Sequence, residues 1–319
     1  VINNKSTLNI ENTMITALGG YAVSNTGNAK INIDANSTLK ANKYAMYTKT
    51  DEEIEVNNGN ILGIYNEGNT KITNGKFTNG TNDNAIFNKQ GTLTIDNANV
   101  ISTKTGVYNT ASLVINDGKY SSENSNAVLN DNATTTINDG MFTSNKENAV
   151  VNYRGTTTIN NGTAISNEAS ALVNKTYSFY GTYWHYYSGN LIINGGIAKG
   201  KKYGVLVDTN GTGKVTITNG DIYGEQYGIY VAHQTEITGG TIKGGTYGIY
   251  QKNSNLIVGT NDKDVKINTP MIIGNEYGFY DNGGTISFLD GILKGKTAGY
   301  YGTINEYPDA TLITNDEET

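Results

Sequence analysis

A short pattern recurs along the chain at a nearly constant spacing, and this repeat restricts the possible folds more than any other feature. A small residue, then an aliphatic or aromatic residue, then a bulky residue, often closed by Asn, recur thirteen times at intervals of about 23 residues. The copies begin at Ala22, Ala45, Gly63, Ala85, Gly106, Ala127, Ala149, Ala171, Gly204, Gly228, Gly248, Gly278 and Gly299. A unit this short cannot bury its own apolar face, so successive units must stack on one another.

Each unit holds two further strand-like pieces. A second series, with Leu93–Thr94–Ile95 and Leu113–Val114–Ile115 among its members, keeps a fixed spacing to the first. A turn of Asn, Asp and Gly follows, and then a short apolar piece such as Met141–Phe142. The apolar period of two and the β-branched residues indicate strands rather than helices. The sequence therefore predicts an all-β solenoid with three short strands per coil, about 13 to 14 coils in all, stacked about 4.8 Å apart.

Two steps of the repeat are longer than the others and predict loop insertions. Residues 175–189 form an aromatic insertion, and residues 259–266 form a polar one. The rest of the chain reads as one continuous domain spanning residues 1–319. Because the sequence starts without Met and ends on an acidic stretch, we expect it to be a fragment of a longer protein, and as an isolated fragment a monomer.

The strand motifs resemble those of a known family. Gly63–Ile64–Tyr65–Asn66 and Gly106–Val107–Tyr108–Asn109 are each followed by a strand and an Asn- or Gly-rich turn. These coils look like the single-stranded right-handed parallel β-helix of the pectate-lyase-like superfamily, in the form found in repetitive bacterial surface adhesins. The resemblance covers nearly the whole chain. The resemblance implies the fold. It does not indicate one function, because the family includes lyases, hydrolases and adhesive rods.

An Asn recurs two residues after the aliphatic position of the first strand. Residues two apart on a strand point to the same face, so we expect these amides to face inward and to bond to one another in a ladder. The predicted members are Asn25, Asn66, Asn88, Asn109, Asn130, Asn152 and Asn174. From Gly204 onward this Asn is missing, which predicts a change in the cross-section of the coil.

Composition excludes several classes of function. The net charge is −6 and Arg154 is the single arginine, which argues against a nucleic-acid partner. The chain has no Cys, so it forms neither disulfides nor thiolate metal sites. It has no run of 18 apolar residues, which predicts no membrane insertion. No motif points to a cofactor or to a metal, so we expect none of either.

An enzyme is the alternative to a binding protein. The family's lyases and polygalacturonases imply clustered Asp residues with a basic partner or a His motif, and the only histidines here are His185 and His233. Asp208 and Asp281 follow first strands but are predicted to lie three coils, or roughly 14 Å, apart. We therefore expect a non-catalytic protein, with a carbohydrate-active lyase or hydrolase as the alternative.

Aromatic residues mark the candidate binding surface. The residue after the aliphatic position should point outward, and it reads Tyr47, Tyr65, Phe87, Tyr108, Leu129, Val151, Val173, Leu206, Tyr230, Tyr250, Tyr280 and Tyr301. Such an exposed apolar stripe is either a stabilising ring ladder or a contact site. The insertion at 175–189 either covers a flank of the coils or offers a contact platform. The candidate ligand-binding residues are Tyr180, Tyr183, Trp184, Tyr186, Tyr187, Tyr230, Tyr250 and Tyr280.

Together these features predict an adhesin-like protein. The expected location is extracellular, at a bacterial cell surface or cell wall. The expected ligand is a polysaccharide or a host surface protein, held by aromatic side chains that offer both an apolar ring and a polar edge.

Overall fold

The computed structural model describes residues 2–27, 30–50, 54–79, 84–180, 184–208, 213–260, 269–306 and 311–312. These residues form strands and turns without a helix, and parallel strands stack as a β-solenoid of about 12 turns. This confirms the predicted fold class and is consistent with a right-handed parallel β-helix. The structure thus has about 12 turns, where the repeat predicted 13 to 14 coils.

The chain forms two compact units, Val1–Val150 and Val151–Thr319. The prediction of one continuous domain over residues 1–319 stays a prediction. In the first unit each coil contributes three strands. The first strands are Ile2–Asn4, Val23–Asn25, Met46–Thr48, Ile64–Asn66, Asn84–Asn88, Thr105–Asn109 and Val128–Asn130. The second strands are Leu8–Ile10, Ile31–Ile33, Ile54–Asn57, Thr70–Ile72, Thr92–Ile95, Ser112–Ile115 and Ala133–Ile137. The third strands are Met14–Ala17, Thr38–Ala41, Asn60–Leu62, Lys76–Thr78, Asn99–Ser102, Lys119–Ser122 and Met141–Ser144.

The second unit repeats this plan, with two long strands that serve as both first and second strand of their coils. The first strands are Val150–Asn152, Leu172–Lys175, Tyr203–Asp208, Tyr227–Val231 and Ala298–Tyr301; the long strands are Tyr247–Val258 and Tyr277–Phe288. The second strands are Gly155–Ile159, Asn190–Ile193, Val215–Ile217, Thr235–Ile237 and Asn305–Glu306. The third strands are Thr163–Ser166, Ile197–Gly200, Asp221–Gly224, Thr241–Gly244, Met271–Gly274, Ile292–Gly295 and Thr311–Leu312. Tyr177–Tyr180 and Trp184–Tyr187 form a separate antiparallel hairpin.

Strands of successive coils pair in register, so equivalent residues lie directly above one another. Ile64 pairs with Ile86, and Ile86 pairs with Val107. All three are fully buried, and together they form one column of the core. On the third strands, Tyr120 and Phe142 stack inside the core with ring centroids 4.9 Å apart. Inward columns of aliphatic and aromatic side chains therefore supply the apolar burial that a single coil lacks.

The predicted Asn ladder is present in the first unit. Asn66 donates through its Nδ2 to Oδ1 of Asn88 at 2.7 Å, Asn88 donates to Asn109 at 2.7 Å, and Asn109 donates to Asn130 at 3.0 Å. All four side chains are fully buried. Each amide also donates to a backbone carbonyl, as when Nδ2 of Asn66 donates to the Gly68 carbonyl at 2.8 Å. Because an amide both donates and accepts, one residue type can repeat along the column with its bonds satisfied.

The second unit has a short Asn ladder of its own. Asn152 donates to Asn174 at 2.8 Å, and Asn174 donates to the Gly189 carbonyl at 2.8 Å. In the next coils the same position holds Val207 and Val231, both fully buried. The predicted loss of Asn after Gly204 is thus a change to two apolar positions, after which the column is polar again at Gln251 and Asp281.

The ladder yields a stability prediction. Replacing Asn109 by Leu removes the buried hydrogen bonds that Asn109 makes with Nδ2 of Asn88 and with Oδ1 of Asn130. Each of these atoms then keeps one bond, to the Ser112 carbonyl and from Oγ1 of Thr135 respectively, beside an apolar side chain. We expect the free energy of unfolding to fall by roughly 1 to 3 kcal/mol, measured by urea denaturation.

Asn138→Leu is the matched control, because Asn138 is exposed and donates to the half-buried Asn116 at 2.8 Å. This change should alter the free energy of unfolding by no more than about 0.5 kcal/mol. Equal losses in the two variants would contradict the ladder's structural role.

Candidate binding surface

Tyrosines form two files on one outward face of the second unit. The recurring sequence Tyr-Gly-x-Tyr, seen at 227–230, 247–250 and 277–280, places two tyrosines on the same face of each coil. We call these residues the tyrosine column. One file is Tyr203, Tyr227, Tyr247 and Tyr277, and the other is Tyr230, Tyr250, Tyr280 and Tyr301.

Glycine makes this arrangement possible. In Tyr227–Val231 two consecutive buried residues, Gly228 and Ile229, separate the half-buried Tyr227 and Tyr230, so the strand departs from strict alternation. A Cβ atom on Gly228 would lie 2.5 Å from Cγ2 of Ile242 and 2.6 Å from the carbonyl oxygen of Gly248. No larger residue fits there, because a real Cβ does not approach other atoms so closely.

A second glycine closes the corner just before each coil's tyrosines. The third strand Thr241–Gly244 ends at a buried glycine, and a Cβ atom on Gly244 would lie 1.6 Å from the carbonyl oxygen of Tyr247. In three coils of the first unit the corresponding fourth position is a buried serine. There Ser144 donates through Oγ to the Ser125 carbonyl at 2.6 Å and accepts the backbone N–H of Glu147 at 3.1 Å. The change from Ser to Gly shortens the corner and brings the tyrosine to the start of the next strand.

The rings of the column stack on one another both within and between files. The ring centroids of Tyr250 and Tyr280 are 5.6 Å apart, and the two ring planes are inclined by 7°. The centroids of Tyr227 and Tyr250, which belong to different files, are 5.0 Å apart, and their planes are inclined by 11°. The closest pairs are Tyr247–Tyr280 at 4.6 Å and Tyr280–Tyr301 at 4.7 Å. Each such contact contributes about 0.5 to 1.5 kcal/mol beyond area burial. Since neighbouring rings cover each other's faces, the column offers solvent mainly ring edges and hydroxyl groups.

The environment of the column holds its phenols in the protonated form. Burial, together with the charge of Glu276, raises the pKa of Tyr247 to about 12. Burial and the neighbouring Tyr250 raise the pKa of Tyr203 and of Tyr230. The Tyr250 hydroxyl accepts a hydrogen bond from Nδ2 of Asn282 at 2.7 Å. At neutral pH these three phenols are therefore protonated.

A mixed aromatic and charged stripe lies on the first unit. Tyr65, Phe87 and Tyr108 follow one another, with centroids 5.2 Å and 5.1 Å apart. Glu67 accepts hydrogen bonds from the Tyr47 hydroxyl at 2.8 Å and from Nζ of Lys89 at 2.7 Å. These two bonds lower the pKa of Glu67, and the bond from Lys89 has the larger effect. Burial and the hydrogen bond to Glu67 raise the pKa of Tyr47 to about 12.

The predicted stripe needs two corrections. Its aromatic members, such as Tyr65 and Tyr250, are half-buried rather than fully exposed, because each ring packs against its neighbours; Tyr301, at 51% exposed, is the exception. Val151 and Val173 also belong to the predicted outward series, yet they are only 2% and 1% exposed. They pack in strands whose three successive residues are all buried, so alternation fails there.

The aromatic insertion is a hairpin. Tyr177 pairs with Tyr187, and Tyr180 pairs with Trp184, in antiparallel register. Tyr187 is 46% exposed. Tyr183 lies outside the described residues, as do the side chains of Tyr180, Trp184 and Tyr186. Most of the polar insertion, from residue 261 on, is outside them as well. The structure thus brings Tyr230, Tyr250 and Tyr280 together. The role of the hairpin residues in ligand binding stays a prediction.

The two Asp residues that follow first strands do not form a carboxyl pair. Asp208 and Asp281 lie on first strands separated by three steps of the stack, or roughly 14 Å. Paired carboxyl groups of glycosidases are about 5 to 9.5 Å apart. Among the described residues no three Asp, Glu or His side chains group closely enough to hold a metal ion.

Comparison of the chain with family models, with curated proteins and with solved structures finds no match. The described residues also contain no helix of the length and apolar character that crossing a membrane requires.

The file that begins with Tyr203 was not foreseen from the sequence. Strict alternation from Tyr230 places Tyr227, three residues earlier, on the opposite face. The signal that finds this file is the recurrence of Tyr-Gly before the aliphatic residue, combined with Gly at the end of the preceding strand.

The corner glycine gives a stability prediction. Gly244→Ala should lower the free energy of unfolding by roughly 1 to 3 kcal/mol, because the backbone of Tyr247 must move to admit the methyl group. The near-ultraviolet circular dichroism of the tyrosines should weaken as the stack is disturbed. Gly19→Ala is the control, since a Cβ atom there meets nothing within 4 Å. If Gly244→Ala were as stable as Gly19→Ala, the corner would not be close-packed.

Ionisation of the phenols gives a second prediction. Tyr47 and Tyr247 have a pKa of about 12 in the folded chain, above the ordinary value of 10. The stability linked to these phenols is fully present below pH 10 and is lost as the pH rises toward 12, because the unfolded chain releases these protons first. Alkaline titration of phenolate absorbance should therefore lag in the native protein behind the same protein in concentrated urea. Coincident curves would contradict the buried, stacked geometry.

Proposed function

We propose that this chain is a non-catalytic, adhesin-like protein of the bacterial cell surface, a β-helix of the pectate-lyase-like type that binds a polysaccharide or a host extracellular protein. The observation that carries the proposal is the tyrosine column. The aromatic hairpin at 175–189, with Tyr180, Tyr183, Trp184, Tyr186 and Tyr187, is the second proposed contact region. A carbohydrate-active lyase or hydrolase remains the alternative that the experiment below also tests.

The column has the properties of a contact surface. Tyrosine combines apolar area with a hydroxyl group and is enriched where proteins meet their partners. The column is a contiguous partly apolar patch on the outside of a fold whose core is already filled by other residues. Its rings are held by their neighbours, so binding costs little side-chain entropy.

The geometry also favours a particular type of ligand. Hydroxyl groups and ring edges recur along the stack with the period of the coils, about 4.8 Å. An extended polymer whose polar groups repeat on a similar scale can meet many of them at once, and many weak contacts then add through effective concentration. A polysaccharide chain and an extended polypeptide both meet this requirement. Tyr301 is the most exposed ring of the column and offers the most area for stacking of a sugar.

The proposal is tested by binding of the protein to arrays of glycans and extracellular-matrix proteins. For a ligand found there, we expect Tyr250→Ala and Tyr280→Ala each to raise the Kd at least several-fold, since central aromatic residues typically contribute about 1 to 2 kcal/mol or more. Tyr223→Ala is the control, because Tyr223 is 42% exposed on a third strand outside the column. Trp184→Ala tests the hairpin in the same assay.

Assays for newly formed reducing ends and for unsaturated uronates run beside the arrays. Release of either product from a bound polysaccharide by the wild-type protein would overturn the non-catalytic proposal in favour of the alternative. Binding that Tyr250→Ala and Tyr280→Ala leave unchanged would remove the tyrosine column from the proposal.

A further inference from the structure

Two pairs of phenol rings in the tyrosine column lie in close contact. Tyr280 is the ring shared by the two closest pairs, with centroids 4.6 Å from Tyr247 and 4.7 Å from Tyr301. The rings in these pairs are inclined by only 17° and 11°. The three residues come from three successive coils, so each contact joins parts of the chain that are distant in sequence but adjacent in the stack.

These rings are also reachable from solvent. Tyr247 and Tyr280 are half-buried and Tyr301 is 51% exposed, so an oxidant can approach their outer edges. Glu276 lies beside Tyr247 and is a local acceptor for a phenolic proton. Accessible rings held this close to one another raise the effective concentration of one tyrosyl radical at the next, which favours their combination over reaction elsewhere.

We propose that the tyrosine column is a site of oxidative modification, in which a one-electron oxidant such as a haem peroxidase with hydrogen peroxide links tyrosines of successive coils as dityrosine. The modification requires the stack alone and does not depend on the proposed ligand.

The reaction balances as follows. Each of two tyrosines gives one electron to the oxidant and loses its phenolic proton, which leaves two phenoxyl radicals. The radicals join through a carbon–carbon bond between the ring positions ortho to the oxygens. Each coupled carbon then releases its hydrogen as a proton and each oxygen regains one, so both rings are phenols again. In total two electrons and two protons are removed, and they reduce one hydrogen peroxide to two waters.

The link would fasten one coil to the next. A crosslink between Tyr280 and Tyr301 closes a loop of the unfolded chain and lowers its entropy, as a disulfide does. In a chain without Cys this is a covalent route to a more stable stack. The strand register keeps the linked rings one coil apart, so the native fold selects which tyrosines combine.

The experiment oxidises a dilute equal mixture of unlabelled and heavy-isotope-labelled protein with peroxidase and hydrogen peroxide. Dityrosine is detected by its blue fluorescence and mapped by mass spectrometry of tryptic peptides. Lys294 and Lys296 lie between Tyr280 and Tyr301, and Lys252 lies between Tyr247 and Tyr280, so either link joins two peptides that trypsin otherwise separates. We expect these two linked pairs. In each pair both peptides should be unlabelled or both labelled, because both come from one chain.

Two variants make the test specific. Tyr280→Phe keeps a ring in the stack but removes the phenol shared by both pairs, so both linked products should be lost. Tyr223→Phe removes an exposed phenol outside the column and should leave them at the wild-type level. The proposal would be overturned by links that join a labelled to an unlabelled peptide, or by links centred on Tyr223. It would also be overturned if the linked peptides formed in urea with the same yield as in the native protein.

Discussion

In-register stacking of parallel strands is the constraint on which the rest of this structure depends. A coil of about 23 residues has no core of its own, and it acquires one only when each inward side chain lies on its equivalent in the next coil. The pairing of Ile64 with Ile86 and of Ile86 with Val107 is one such column. Every inward position thereby becomes a core column, and every outward position becomes a surface file.

Stacking also selects the residues that can repeat. A side chain that meets copies of itself must be compatible with them, and an amide or a phenol ring is compatible where a row of like charges is not. Asn fills the buried corner and Tyr the outward face for this reason. Some charged residues instead pair with the opposite charge in the next coil, as when Nζ of Lys201 lies 2.6 Å from Oε2 of Glu225. The same rule accounts for both the polar ladder inside and the aromatic column outside.

Sequence reasoning recovered the solenoid, its three strands per coil and the Asn ladder, because each rests on a period that is visible in the residues. It also placed Tyr230, Tyr250 and Tyr280 in one file. It missed the file of Tyr227 and Tyr247 because strict alternation ignores a glycine such as Gly228, which lets a strand turn two tyrosines to one face. It also overestimated the exposure of the rings. How closely side chains in a file pack depends on the spacing and tilt of the coils, and a pattern of residue types does not contain these quantities.

The register of the stack can be measured directly, since the absence of Cys allows pairs of cysteines to be introduced without competing thiols. Thr94 and Val114 are register partners on adjacent second strands, and both side chains point outward. Their Cα atoms, about 4.8 Å apart, lie within disulfide range. The chain carrying Thr94→Cys and Val114→Cys should oxidise readily to an intramolecular disulfide. The chain carrying Thr94→Cys and Ser112→Cys, two residues out of register, should stay reduced. A disulfide in the second chain and none in the first would contradict the in-register solenoid.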